Sequence, residues 1–364
     1  MHPVYRFSFT LLTLFAGAID CAQAGPQYVM SLLGADDFVI PMAINNRGQV
    51  VGTMGPLLGQ RQFFLSDGGV ASTLDDVRAG TNRIDINDAG VMLYNHALHY
   101  TNGSTAGLPM TGFALNNHAD VAGEIHRLGQ LSLAAVYRPN GTLSVAGIAG
   151  RWNSGYDIND DGVVVGAAHG INLKTDPPGF PAFRAARYAN GQAQILEPYG
   201  HGYGFANAVN KAGYAVGVTG GHAALWRPDG TLIDLGAILE QRYGPEQYSI
   251  AYGINSFGEV VGSFGDAQGF LYSNGVMYDL EPLVLNDDGL DYMAYGINDR
   301  HQIIAASAVG DGVILNLAGP AVAQPVPEPA SHLVFPTCLA ALCFLRRRKT
   351  RCAPTGRLAP VAPG

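Results

Sequence analysis

The stretch Asp157-Ile-Asn-Asp-Asp-Gly-Val-Val-Val-Gly166, DINDDGVVVG, can be read in two ways. Asp, Asn and Asp at alternate positions ahead of a Gly open it like a calcium loop. An EF-hand loop, however, ends on a bidentate Glu at its twelfth position. That position is Ala168, and no helical pattern flanks the stretch. The EF-hand reading fails, so these residue types need another explanation.

Recurrence supplies it. The same core stands as AINNRGQVVG from Ala43, DINDAGVMLY from Asp85, ALNNHADVAG from Ala114, AVNKAGYAVG from Ala208, GINSFGEVVG from Gly253 and GINDRHQIIA from Gly296. Seven copies place an Asn at Asn45, Asn87, Asn116, Asn159, Asn210, Asn255 and Asn298, about 42 residues apart on average. A period of roughly 40–45 residues predicts one four-stranded propeller blade per repeat. Within it the core is a turn: Asn and Asp cap their own backbone, and the Gly takes a positive φ.

Each core is followed by an apolar strand, a tight turn and a further strand. The turns read SDGG at Ser66, TNGS at Thr101, PNGT at Pro139, ANGQ at Ala189, PDGT at Pro228 and SNGV at Ser273. Asn-Gly and Asp-Gly predict two-residue hairpins of type I′, which need positive φ at both central residues. The 48 glycines among 364 residues suit a turn-dense all-β chain, with at most a short helical turn near 235–241. Seven cores face only six hairpins. After the seventh core one strand, 312–317, stands alone, and its missing partner is the strand 28–33 ahead of the first core. The expected fold is therefore a β-propeller of seven four-stranded blades, closed by pairing of N- and C-terminal strands so that no edge is left open.

The repeat resembles the extracellular HAF repeat family, whose units join an A-x-x-I-N-x-x-G-x-V-V-G core to a His-Ala-Phe-Leu-Trp-like strand and a Met-x-Asp-Leu-Gly strand. Blade five carries it best, in His222-Ala223-Ala224-Leu225-Trp226 and Leu232-Ile233-Asp234-Leu235-Gly236. Blade six offers Gly269-Phe270-Leu271-Tyr272 and Met277-Tyr278-Asp279-Leu280. Departures are Ala119 and His301 in place of the core Gly, and Tyr94 and Ala305 in place of the later one. The resemblance implies an exported repeat protein and brings no catalytic residues with it.

The ends carry addresses. Residues 1–24 join Arg6, an apolar run and Ala22-Gln23-Ala24, which predicts a secretory signal peptide. The propeller is expected over 25–319, followed by a linker at 320–329. Val326-Pro327-Glu328-Pro329, an apolar run to Leu345 and the cluster Arg346, Arg347, Arg348 and Lys349 resemble a PEP-CTERM sorting signal of Gram-negative bacteria. That resemblance implies a transiently inserted transmembrane helix at 330–349 and processing by an exosortase. A short cytoplasmic extension would be 350–364. The destination implied is the cell surface or the extracellular matrix, in bacteria that make exopolysaccharide. All four cysteines (Cys21, Cys338, Cys343, Cys352) lie in these ends, so no disulfide is expected in the body.

Of 21 Lys and Arg, Arg6 and six in the tail fall outside the body, leaving 14; of 29 Asp and Glu only Asp20 does, leaving 28. The body thus carries 14 net negative charges, which opposes nucleic acid and anionic membranes.

Candidate sites are few. Two residues before each core Asn stand Ala43, Asp85, Ala114, Asp157, Ala208, Gly253 and Gly296; three before it stand Met42, Ile84, Phe113, Tyr156, Asn207, Tyr252 and Tyr295. Neighbours on a strand face opposite ways, so the bulky set is expected to pack against the small set of the next blade. Asp85 and Asp157 are a candidate carboxylate pair or cation site near the central channel, weighed against ordinary turn chemistry. His222 and Trp226 are a candidate sugar platform, weighed against Trp226 as a strand residue. His96 and His99 lack metal spacing, no nucleophile elbow or phosphate loop is present, and neither a catalytic site nor a cofactor is expected. The expected function is a secreted, non-catalytic propeller of the exopolysaccharide matrix that binds glycan or protein; the alternative is a carbohydrate-active enzyme.

Overall fold

The computed structural model describes residues 25–318, apart from 35–37, 57–58, 77–82, 127–130, 149–150, 170–182, 201, 246–247 and 287. The expected leader, the sorting motif Pro327-Glu328-Pro329, the apolar segment, Arg346–Arg348 and the extension lie outside the described residues. Among the described residues no helix is long and apolar enough to cross a membrane.

The chain forms seven four-stranded antiparallel sheets, a seven-bladed β-propeller. Blades one to six use consecutive strands, at 40–76, 85–107, 111–145, 153–195, 204–234 and 249–279. Blade seven takes three strands, Tyr292–Ile297, Ile303–Ser307 and Gly312–Leu317, and borrows its outermost from Tyr28–Leu32. The register runs from Tyr28 opposite Leu317 to Leu32 opposite Val313, the closure expected from the count of cores and hairpins. The outer edge of the borrowed strand is covered in turn. Asn286 accepts from the Met30 N–H at 2.8 Å and donates to its carbonyl at 3.0 Å, as a neighbouring strand would.

Blades are held face to face by apolar side chains. Phe64, Phe270, Leu225, Leu271 and Val313 are buried in the clusters between sheets, each worth roughly 1.5–3 kcal/mol of burial. The helix Leu235–Tyr243 caps blade five, longer than the single turn expected. Asp234 starts it by accepting from the Ala237 N–H, and Gly244 at φ 98° ends it.

The hairpins divide into two kinds. Positive φ at both central residues, the type I′ signature, occurs at Gly68-Gly69, Asn190-Gly191 and Asn274-Gly275. At TNGS, PNGT and PDGT only Gly103, Gly141 and Gly230 are positive, so these are three-residue loops ending in a left-handed glycine. Pro139 and Pro228 enforce this in two of them, because the ring locks φ near −65°. The type I′ expectation is corrected for those three.

Opposite-facing neighbours also need correction. In six blades the register of the innermost strand slips by one residue, between Pro41 and Ala43, Gly112 and Ala114, Gly155 and Asp157, Ala206 and Ala208, Ala251 and Gly253, and Ala294 and Gly296. A bulge makes two consecutive residues oppose one, so both turn the same way. Met42, Phe113, Tyr156, Asn207, Tyr252 and Tyr295 therefore line the channel beside the small residues, and of these Met42 and Tyr295 also pack against apolar clusters between blades. In five of these blades the last Gly of the repeat faces a backbone carbonyl of the bulged strand, whereas blade seven carries the same bulge with Ala305 at that position. A Cβ on Gly166 would sit 2.0 Å from the Ser154 carbonyl oxygen, and Gly52, Gly123, Gly217 and Gly262 face the same obstruction. Blade two escapes it because its innermost strand is only Asp85–Ile86, so Tyr94 is accommodated.

Candidate functional site

The innermost strands run from an entry face to a face formed by the Asn turns. On the turn face each repeat Asn is buried. Its Oδ1 accepts from the N–H four residues on and, at every repeat but Asn210, from the one two residues on, as at Asn45 with Arg47 (3.0 Å) and Gln49 (2.9 Å). That is the Asx-turn the sequence predicts. Its Nδ2 does something a single repeat cannot reveal: it donates to the backbone oxygen of the Asn in the next blade. The bonds run Asn45 to Asn87, Asn116, Asn159, Asn210, Asn255, Asn298 and back to Asn45. The seven amides thus form a closed belt.

Outside the belt lies a second, incomplete ring in which backbone N–H groups donate to the next blade's side chain. It joins Asn46 to Asp88, Asp88 to Asn117, Asn117 to Asp160, Ser256 to Asp299 and Asp299 to Asn46. Lys211, from blade five, stands at the gap. This polar funnel encloses about 360 Å³. Its carboxylates are engaged with backbone and amide donors, and among the described residues no group of three or more His, Cys, Asp or Glu could hold a metal ion.

Above the belt the channel widens to a cavity of about 530 Å³, lined by the bulge residues, Arg83, Asp85 and Asp157. The two aspartates are neither turn residues nor an open pair. Asp85 accepts from Ile86 N and, across the blade boundary, from Leu115 N, both at 2.8 Å. Asp157 accepts from Ile158 N at 2.8 Å and from Val209 N of the next blade at 2.7 Å. Each carboxylate staples two innermost strands. Burial pushes both carboxyls up against the lowering effect of those N–H groups, Asp85 to about 7, and the Asp157 charge adds to the rise at Asp85. In the calcium-like trio of the opening stretch, the Asp157 oxygens accept from Ile158 and Val209, and Asn159 Oδ1 accepts from the N–H groups of Asp161 and Val163, so both residues are committed to backbone.

At the entry face aromatic rings form a line outward from the channel. Arg83 lies over Phe113 (4.9 Å) and Tyr156 (5.4 Å). Tyr156 meets Phe205 at 6.4 Å, Phe205 meets Phe183 at 5.5 Å, and Phe183 meets Trp152 edge-on at 5.3 Å. His169 fills the angle between Phe183 and Trp152, and Tyr203 branches from Phe205. Trp152 is 41% exposed and Tyr203 62%, so the outer end is open to solvent. Beside the line Glu124 bonds Ser154 and His126, and His126 bonds Ser132.

The sequence-derived platform is elsewhere. Trp226 is fully buried and donates its indole N–H to the Glu197 carbonyl at 2.7 Å, which makes it structural. His222 is buried between Asp234 and Glu240 with Tyr199 stacked on it. His96 occupies a turn at φ 59° and His99 stacks on Tyr94, so they do not converge.

No protein-family model matches the chain, and no curated protein does. Solved structures with the same architecture include a catalytically inactive virginiamycin B lyase from Staphylococcus aureus with quinupristin. It is 11% identical, with 80% of this chain and 100% of that one covered and a TM-score of 0.54. Another is YCF48 bound to D1 peptide, 12% identical, with 82% and 96% covered and a TM-score of 0.51. At such identity the likeness extends to the fold alone, and the fold is that of a seven-bladed β-propeller.

Proposed function

We propose that the protein is an exported propeller that holds an extracellular glycan against its entry face without turning it over. The carrying observation is the aromatic line from Tyr156 to Trp152, open at Trp152 and Tyr203. Aromatic faces suit the apolar faces of sugar rings, and a linear series suits a chain of them. A binding role also fits the carboxylates: Asp85 and Asp157 spend their oxygens on four backbone N–H groups. A glycosidase pair instead needs carboxyls free to reach the scissile bond. In this reading the PEP-like tail delivers the domain to the surface or matrix through an exosortase-type enzyme.

The alternative, a carbohydrate-active enzyme, draws support from one feature. A carboxyl with a pKa raised to about 7 in a channel is the usual state of a general acid. One experiment separates the readings: the exported protein on a panel of bacterial exopolysaccharides, with binding and new reducing ends followed together. Binding without new ends, weakened about tenfold by Trp152→Ala with an unchanged Tm, supports the first reading. New reducing ends abolished by Asp85→Asn support the second.

A further inference from the structure

At the inner end of the aromatic line stands a cation that the fold leaves without an anion. Arg83 lies just ahead of the short strand Asp85–Ile86 of blade two. It reaches over Phe113 of blade three and Tyr156 of blade four, its guanidinium 4.9 and 5.4 Å from the two ring centroids. Among the described residues no group hydrogen-bonds to this guanidinium or forms an ion pair with it. Two acids are near enough for their charge to act on it, Asp85 and Glu124. Both are committed elsewhere: Asp85 accepts from Ile86 and Leu115, and Glu124 is held by Ser154 and His126. Burial lowers the Arg83 pKa, so the charge has lost water without gaining a partner.

A guanidinium seated over aromatic rings keeps donors at its edge, and it can take a carboxylate there with two parallel bonds. Among the described residues lining the channel Arg83 is the one Lys or Arg, so it can neutralise a single charge. That suits a carboxylate better than a phosphate dianion. The net negative charge of the body narrows the choice further. It repels a chain that is acidic at every residue and tolerates one acid among neutral sugars.

We infer that the entry face selects a glycan of mainly neutral sugars carrying one carboxylate-bearing sugar, a uronic acid, which docks on Arg83. The inference rests on the entry-face reading above and names the ligand class for that site. The uronate meets Arg83 at the channel mouth, and the neutral sugars run outward over Phe205, Phe183 and Trp152. The aromatic line alone would accept a chain in either direction; Arg83 fixes one of them.

The test is calorimetric titration of the full chain with three tetrasaccharides. The first is aldotetraouronic acid, a xylotriose bearing one glucuronate; the second is its carboxyl-reduced form, similar in shape but uncharged; the third is tetragalacturonate, acidic at every residue. The wild type should bind the first about tenfold more tightly than the second. At low salt it should bind the third more weakly than the first. Within Arg83→Gln the first and second should bind equally, and Arg83→Lys, which keeps the charge but loses the planar fork, should restore part of the difference. Trp152→Ala should weaken the first two alike. Equal affinity for the acid and its reduced form in the wild type overturns the inference without recourse to any variant. If Trp152→Ala still weakens both, the glycan reading of the entry face stands. A preference for the acid that survives Arg83→Gln at the wild-type Tm, or tightest binding of tetragalacturonate, also overturns the inference. If neither of the first two binds, or Trp152→Ala changes neither, the inference and the entry-face reading fall together.

Discussion

Asn298 of the last repeat donates its side-chain amide to the backbone oxygen of Asn45 in the first, at 2.8 Å across 253 residues of sequence. That bond closes the belt, so each Asn both shapes its own turn and fastens the next blade. In Asn159→Asp the acceptor roles toward Asp161 and Val163 survive, but the donor to the Asn210 oxygen is lost and a charge is buried. The expected cost is about 2–4 kcal/mol at neutral pH, read from urea unfolding. Protonation restores a donor and removes the charge. The deficit should therefore shrink as pH falls toward about 4; a deficit independent of pH would assign the loss to turn shape alone.

Removing residues 27–34 deletes the borrowed strand and with it the buried Tyr28 and Leu33. Blade seven would be left with the edge of Gly312–Leu317 unpaired. Several kcal/mol of stability should go, from two large buried side chains at roughly 2–3 kcal/mol each and a five-residue ladder. Ending the chain after Gly319 removes none of this. If both truncations melt at the wild-type temperature, the N-terminal strand does not hold the ring.

Asp85 makes stability depend on pH in the less common direction for an acid. Its folded pKa is raised, by burial above all, from 3.8 to about 7, so the folded state binds a proton more tightly than the unfolded chain. The contribution is fully present below pH 4 and is lost as pH rises through about 7. Asp157 shifts in the same direction. Between pH 4.5 and 8 the wild type should lose a few kcal/mol from this source. Asp85→Ala should be less stable than wild type at pH 4.5, because Leu115 N and Ile86 N lose their acceptor, yet show a flatter profile. An unchanged slope would remove Asp85 from the account.

What the sequence discloses follows the repeat. Blade number, the Asx-turns at the seven Asn and the partnership of 28–33 with 312–317 all rest on spacing or counting, and the structure has them. The belt was hidden, because an Asn in a turn does not name its partner in another blade until the ring closes. The bulge was hidden too. A two-residue alternation assumes an unbroken ladder, and the Gly in VVG, whose Cβ space the opposing carbonyl occupies, was its only trace. Arg83, Trp152, Phe183 and Tyr203 escaped for the opposite reason: they stand outside the repeated core, where nothing recurs to draw attention. Trp226 drew it because its strand is the best copy of the repeat, and good copies mark structural positions.

The left-handed position of the core turn provides a paired test of the structural reading of DINDDG. Gly162 has φ 74°, and a Cβ there would meet nothing within 4 Å, so any cost of substitution comes from the backbone alone. A left-handed L-residue costs roughly 1–2 kcal/mol, and a β-branched one more. Gly162→Val should therefore destabilise blade four by about 2 kcal/mol or more. Blade three already bears such a penalty, since Ala119 occupies the equivalent position at φ 60°. Ala119→Gly relieves it but adds freedom to the unfolded chain and removes a methyl buried beside Leu115 and Val121, about 0.8 kcal/mol, so the net change should lie within about 1 kcal/mol of zero, well short of the loss at Gly162→Val. A near-neutral Ala119→Gly beside a costly Gly162→Val, measured by denaturant unfolding, is the expected pair, because only the second forces a new side chain into the left-handed region. A Gly162→Val variant as stable as wild type would mean that φ is not what the repeat selects at this position.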